Sequence, residues 1–422
     1  MIFNSSLQKF IFYYIPVILF SLIPFFLITG PFLSDLSISL IAILFLIYCI
    51  KERNFSYFNN IYFYFFLIFW VYLILNSLIN NFRLNNLGTA LVYCRYGVFV
   101  IAIVALLNFD KKFINYFFYC LLICFTGLIL DGFYQYFTGV NILGFENSFR
   151  TSSFFGEELI LGSYLSRLWP IFFAVSILIF KEKNKFFFSL VLIFILSEVL
   201  IFLSGDRSAF FYINLSAIFV ILLSKKLLKL RLFILLSSIF LLTIISLINP
   251  TAKERVFDQT INQMNLGKNL DKDESVYIFS MEHTHHYMTA YRMFLDNKIL
   301  GVGLKNFRNF CSNEKYKISK WSCSTHPHNT YIQILAETGL IGFIFLLTLV
   351  FYFCKYVLKH LIYRFKGQSY FNDFEICILS GIVIYLWPFI PTGNVFTNWL
   401  SIIMIINMPF LIWSRSLKEN KK

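Results

Sequence analysis

The run His326-Pro327-His328-Asn329 is the stretch of this sequence best suited to acid–base chemistry. An imidazole titrates near neutral pH, so it can take a proton from an attacking hydroxyl. Pro327 fixes an extended approach. Asn329 is a good N-cap for a helix that starts just after it. The competing reading is a histidine that merely caps an interfacial helix. Five of the six histidines (His283, His285, His286, His326 and His328) fall between residues 249 and 334. The run Glu282-His283-Thr284-His285-His286 lacks HExxH spacing and no Cys pair accompanies it, so zinc is disfavoured. These three histidines are expected as solvated or packing residues on a helix.

Three arginines add the second half of a chemistry. Arg150 lies in Phe145–Gly156, Arg207 in Ser204-Gly205-Asp206-Arg207-Ser208-Ala209, and Arg292 ahead of Gly301-Val302-Gly303. Guanidinium forks suit phosphate oxygens. Singly, each reads as a polar turn or helix-surface residue. Together, on one side of a membrane, they form a candidate anion site. Arg95 sits within an apolar run, where a cation is a functional hypothesis by default. Its structural alternative is snorkelling, or pairing with a carboxylate such as Asp131 or Glu198.

The elements that must position these groups are membrane spans. The chain has 422 residues, 58% apolar and only 14% charged. Soluble chains run nearer a quarter charged. Spanning-length runs fall at about 10–30, 33–50, 59–79, 88–108, 113–134, 161–180, 186–204, 208–224, 229–248, 335–357, 373–392 and 396–414. The expected fold is therefore all-α: a polytopic membrane protein of about twelve transmembrane helices. It divides into a bundle (1–248), one large partly helical loop (249–334), and three last spans with a tail (335–422). Within the loop, Ser275–Asn297 has apolar residues at helical spacing, and glycines follow it.

The net charge of +14 is a topology signal. With both termini cytoplasmic, twenty of the 36 Lys and Arg fall on the cytoplasmic side, as the positive-inside rule asks. The large loop is then periplasmic, and no nucleic-acid role is implied. Cys311 and Cys323 lie in that loop, as a disulfide or as two free thiols. The other six cysteines lie in or beside spans.

The stretch His326–Gly342 resembles the signature of the O-antigen ligase and O-antigen polymerase superfamily. There a His-Asn pair precedes a Gly by a fixed gap, matched here by His328-Asn329 and Gly339. The segment Arg292 to Gly301-Val302-Gly303 and Asn306-Phe307 is similar to a second loop motif of that family. Ser204–Ala209 resembles its short Arg-containing turn, and Asp131–Gly139 with Arg150 the region before it. The resemblance covers about residues 130–345. It implies a bacterial inner-membrane glycosyltransferase, inverting and without metal or other cofactor. The implied donor is a glycan on undecaprenyl pyrophosphate, and the acceptor a hydroxyl of lipid A-core. His328 would be the base, Arg150, Arg207 and Arg292 would bind the pyrophosphate, and Asn329 would orient His328 or a sugar. A polymerase joining lipid-linked repeats and a protein O-oligosaccharyltransferase are alternatives on the same motifs. A polysaccharide or lipid transporter is the alternative from another class.

Overall fold

A computed structural model describes the chain apart from residues 2, 4, 81–83, 148–149, 181–184, 225–227, 249–253, 255–257, 265–278 and 420–422. Its principal elements are all helices: α1 (Ser6–Ile28), α2 (Pro31–Lys51), α3 (Ile61–Ile79), α4 (Leu84–Val92), α5 (Cys94–Phe109), α6 (Ile114–Thr138), α7 (Leu161–Ile179), α8 (Lys185–Leu203), α9 (Arg207–Leu223), α10 (Leu228–Ile248), α11 (Met281–Asp296), α12 (Thr330–Phe365), α13 (Asp373–Tyr385), α14 (Asn398–Ile405) and α15 (Met408–Glu419). Among the described residues there is no strand. Among the described residues, nine helical stretches are long and apolar enough to cross a membrane, with shorter apolar helices at 190–203 and 207–223. The protein is a polytopic membrane protein. Each expected span has a helical counterpart, with local differences. The 88–108 run is divided between α4 and α5. The 373–392 run is helical only through Tyr385, after which residues 386–397 lead irregularly to α14. The helix expected from 335 begins at Thr330, because Asn329 caps it.

Phenylalanine supplies much of the packing. Phe20 stacks on Phe117 at 4.8 Å, and Phe125 meets Phe172 at 4.7 Å. Such ring pairs add to area burial. Large apolar side chains such as Phe32, Ile61, Ile123, Phe137 and Leu247 remain exposed, as suits a surface that faces lipid tails rather than water.

Buried charges are mostly paired. Arg95 bonds Asp35 at 2.6 Å and Asn398 at 3.3 Å, so its partner is neither Asp131 nor Glu198. Asp131 instead accepts from Ser153 Oγ (2.6 Å) and the Ile142 N–H (2.9 Å). Gln135 Oε1 accepts from the N–H groups of Ser152 and Ser153. These two α6 side chains fold the 139–160 connection that carries Arg150. Glu198 lies 3.8 Å from Arg231, whose guanidinium covers the Trp169 ring at 4.2 Å. Arg231, expected on a cytoplasmic connection, is fully buried.

Arg415 bonds the Tyr370 hydroxyl at 2.6 Å, which ties the last helix to the connection between α12 and α13.

Candidate active site

The loop docks into a break in α12. Gly339 has φ 61° and ψ −163°, a combination essentially restricted to glycine. At that break the Leu340 and Ile341 N–H groups turn away from the helix and donate to the carbonyls of Lys298 and Ile299. The freed carbonyls of Ala336 and Glu337 accept from Val302 and Gly303 at 2.9 Å each. Residues 298–303 thus supply backbone partners to four groups freed at the break, and the Tyr72 hydroxyl meets the Thr338 carbonyl. The Gly-Val-Gly turn is not a helix terminator, since Asn297 already caps α11. It is the docking segment. A Cβ on Gly301 would stand 2.5 Å from the Glu337 carbonyl carbon. Asn76 Nδ2 donates to the Leu300 carbonyl at 2.6 Å, and buried Glu337 accepts from the Phe307 N–H at 3.2 Å.

This dock fixes the start of α12. Asn329 Oδ1 accepts from the Tyr331 and Ile332 N–H groups, and its Nδ2 donates to the Pro388 carbonyl at 2.7 Å. Asn329 thus both caps α12 and ties its start to the 386–397 segment. His328 itself has φ 57°, strained for a residue other than glycine. Its carbonyl accepts from the Thr392 N–H (2.8 Å) and the Tyr287 hydroxyl (3.4 Å). These bonds hold the backbone in its left-handed turn and engage none of the ring atoms.

Four imidazoles gather there. The His328 ring centroid lies 4.1 Å from His326, 5.3 Å from His283 and 5.3 Å from His286. His283 and His286 are three apart on α11, so they share a face. His328 Nε2 meets Ser324 Oγ at 2.9 Å. His326 Nε2 donates to the Thr392 carbonyl at 3.2 Å, while its Nδ1 meets Thr325 Oγ1 at 2.9 Å. Burial, then the neighbouring imidazoles, pulls the His328 proton affinity down to about 3. Burial, then His286 and Arg207, pulls His283 down to about 4. The cluster is uncharged at neutral pH, with lone pairs available for accepting protons. His285 stands apart and meets Ser319 Oγ. Among the described residues no His, Cys, Asp or Glu set of three converges as metal ligands.

Arg207 is brought to this cluster. It opens α9 after the Asp206 cap, which accepts from the Ala209 N–H at 3.1 Å. Its Nη1 donates to Thr260 Oγ1 at 3.2 Å, and its charge is one of those that depress His283. Arg150 is close enough for its charge to act on Arg207, and its buried Nε has no partner among the described residues. Arg292 is not brought there. Nine positions after His283, it points about half a turn away on α11. It is exposed and donates to the Lys317 carbonyl at 3.0 Å. Arg292 therefore secures the outer part of the loop. Cys311 and Cys323 form a disulfide, Cα atoms 5.0 Å apart, that ties the segment leading to His326.

Residues 188–347 match the family model described as O-antigen ligase. That stretch is similar to the O-antigen ligase family. The match includes Arg207, the glycines of the dock and His328, and so bears out the resemblance read from the sequence. Arg150 lies outside it. A Rickettsia conorii protein assigned as a polysaccharide ligase is 26% identical over 147 residues, 34% of each chain. The chain thus aligns with about a third of that relative's length.

Several residues around this site carry little or no signal in the sequence. Tyr287 and Ser324 carry no motif. His283 and His286 had one usable signal, their shared helical face. The 386–397 segment read as span, although Pro388, Pro391 and Gly393 interrupt it. Arg167 counted only as a charge in a span. It is 3% exposed and stacked 4.5 Å from Tyr212 and 4.7 Å from Tyr385.

Proposed function

We propose that the protein transfers a glycan from undecaprenyl pyrophosphate to a hydroxyl of lipid A-core at the periplasmic face of the inner membrane. The observation that carries this reading is the His328 imidazole, held on a strained backbone in a cluster of four imidazoles whose His283 feels the Arg207 charge. His328 accepts the hydroxyl proton as that oxygen forms its bond to the anomeric carbon. The carbon–oxygen bond to pyrophosphate breaks on the opposite face, and the electron pair leaves with the phosphate. Arg207 and Arg150 stabilise the charge that develops there. The excess of Lys and Arg on alternate connections of the sequence supports a cytoplasmic placement of both termini. Incubating purified protein with labelled lipid-linked donor and lipid A-core tests the reading. Covalent product supports it, and movement of donor across the bilayer without bond change sinks it.

A lysine at position 207 keeps the charge and loses the fork. Arg207→Lys is expected to lower kcat/KM about tenfold, the worth of one charge-assisted hydrogen bond. Unchanged kinetics would remove the bidentate contact.

The pH profile has a defined sign. The kcat/KM profile reports the free enzyme and kcat the donor complex. In the free protein His328 gains its proton only near 3. A bound pyrophosphate is an adjacent anion and raises that value. The acid limb of kcat is therefore expected at higher pH than the acid limb of kcat/KM. Coincident limbs would argue against His328 as the titrating base.

The disulfide tests the loop's compartment. Cys311 and Cys323, twelve apart, are expected as a linked peptide in non-reduced digests from cells. Such a link stabilises the loop by roughly 3 kcal/mol, so Cys323→Ser is expected to lower transfer severalfold. Recovery of both as free thiols would contradict an oxidising location.

A further inference from the structure

Three further imidazoles stand around His328, and a lone general base needs none of them. His326, His283 and His286 lie 4.1, 5.3 and 5.3 Å from its ring, centre to centre. Crowded, partly buried imidazoles oppose one another's charged forms. Among the described residues no carboxylate forms an ion pair with any of the four rings. The charges that reach the cluster come from Arg207 on α9, Glu282 and His285 on α11, and Arg308 of the loop. A proton taken up by His328 therefore has no counter-ion beside it. It must leave before the ring can act as a base again.

The three neighbours differ in what they can do with that proton. His326 Nε2 faces the Thr392 carbonyl, which only accepts, and its Nδ1 is taken by Thr325 Oγ1. No lone pair of His326 is left for His328. His286 is buried and stacks on His328 with 28° between the ring planes. Stacked rings hold their in-plane nitrogens past one another. His283 instead meets His328 at 75°, edge toward face, so an in-plane nitrogen of one ring points at the other. One water completes that path. On its far side His283 Nδ1 bonds Ser280 Oγ at 2.7 Å. Ser280 is the half-buried cap at the start of α11. With Nδ1–H directed at Ser280, the lone pair of His283 is on Nε2.

We infer that His283 is the proton exit of the site, carrying the proton from His328 to Ser280 and bulk water. This role rests on the transfer reading and deepens it. The acceptor O–H bond breaks and an N–H bond forms on His328. The imidazolium then yields one proton to His283 Nε2, and His283 Nδ1 releases its own to water at Ser280. One proton enters, one leaves, and neither ring is oxidised or reduced. His283 touches no substrate atom and acts through His328. The direction is downhill, since His283 holds a proton up to about 4 and His328 only to about 3. Arg207 is among the causes that depress His283, after burial and His286. Negative charge developing on a pyrophosphate at Arg207 offsets that cause and raises the proton affinity of His283. Departure of the leaving group and removal of the proton are thereby linked.

Rapid-quench kinetics of His283→Gln test this. Glutamine keeps a polar partner for Ser280 and carries no proton at neutral pH. The first turnover is expected within about twofold of wild type, because His328 starts unprotonated. Steady-state turnover is expected to fall about tenfold or more and to recover with added imidazole. Equal loss in both regimes, an unchanged steady state, or a loss that imidazole does not relieve would overturn the proposal. Nitrogen-15 NMR of the wild-type protein, labelled at its six histidines, needs neither a variant nor turnover. His283 is expected as the Nδ1–H tautomer at neutral pH, and the Nε2–H tautomer would also overturn the proposal. Absence of covalent product from the wild-type protein would sink the transfer reading and the exit with it. Wild-type product with either contrary result for His283 would sink the exit alone.

Discussion

His328→Ala is expected to lower glycan transfer by roughly 10²–10⁴-fold, the range for removing a general base, while the protein still inserts and keeps its loop. The ring makes one polar contact, to Ser324, so its removal leaves the backbone anchors in place. Those anchors, the Thr392 N–H and the Tyr287 hydroxyl, bind the residue's carbonyl. Alanine tolerates the left-handed backbone poorly, so His328→Asn is the better control. Asparagine visits that region readily and cannot act as a base at neutral pH. Both variants should lose transfer alike, and His328→Asn should retain wild-type thermal stability. Transfer by His328→Asn within threefold of wild type would sink the base assignment. His285→Asn, on a ring outside the cluster, should leave transfer near wild type.

The sequence carried this site unevenly, for physical reasons. Spans were legible because lipid demands long apolar runs, and the Asn329 cap because a helix start has a local grammar. His328 and Arg207 stood out because polar groups are rare in such a chain. Arg292 misled because side-chain type and motif position carry no helical azimuth. Its register relative to His283 points it outward, to the Lys317 carbonyl. The partner of Arg95 was unreadable for a similar reason. Asp35 is 60 positions away, and nothing local separates it from Asp131 or Glu198. The 386–397 segment was missed because its apolar content imitates a span, whereas its prolines and its bonds to His326, His328 and Asn329 make it the clasp of the site.

The largest structural effect is expected at Gly339. A side chain there meets two independent obstacles. The backbone conformation, φ 61° and ψ −163°, costs a residue with a Cβ of the order of 1–3 kcal/mol. That Cβ would also lie 2.3 Å from the Ile299 carbonyl oxygen and 2.6 Å from the Gly301 nitrogen. Both are backbone atoms, so no rotamer change relieves the overlap. Relief requires residues 298–303 to leave α12, which strands the Leu340 N–H and the Ala336 and Glu337 carbonyls. Each buried polar group left unpaired costs about 1–3 kcal/mol. The sum is comparable to a large fraction of a folded domain's stability. Gly339→Ala is therefore expected to release the loop, expose residues 298–329 to protease and abolish transfer, although His328 and Arg207 are untouched. Gly301→Ala should behave the same way, because its Cβ would meet the same backbone from the other side. Gly88→Ala, where nothing lies within 4 Å, should leave both protection and transfer unchanged. A Gly339→Ala protein that protects its loop and transfers glycan normally would show that the break in α12 is not what seats the catalytic histidine.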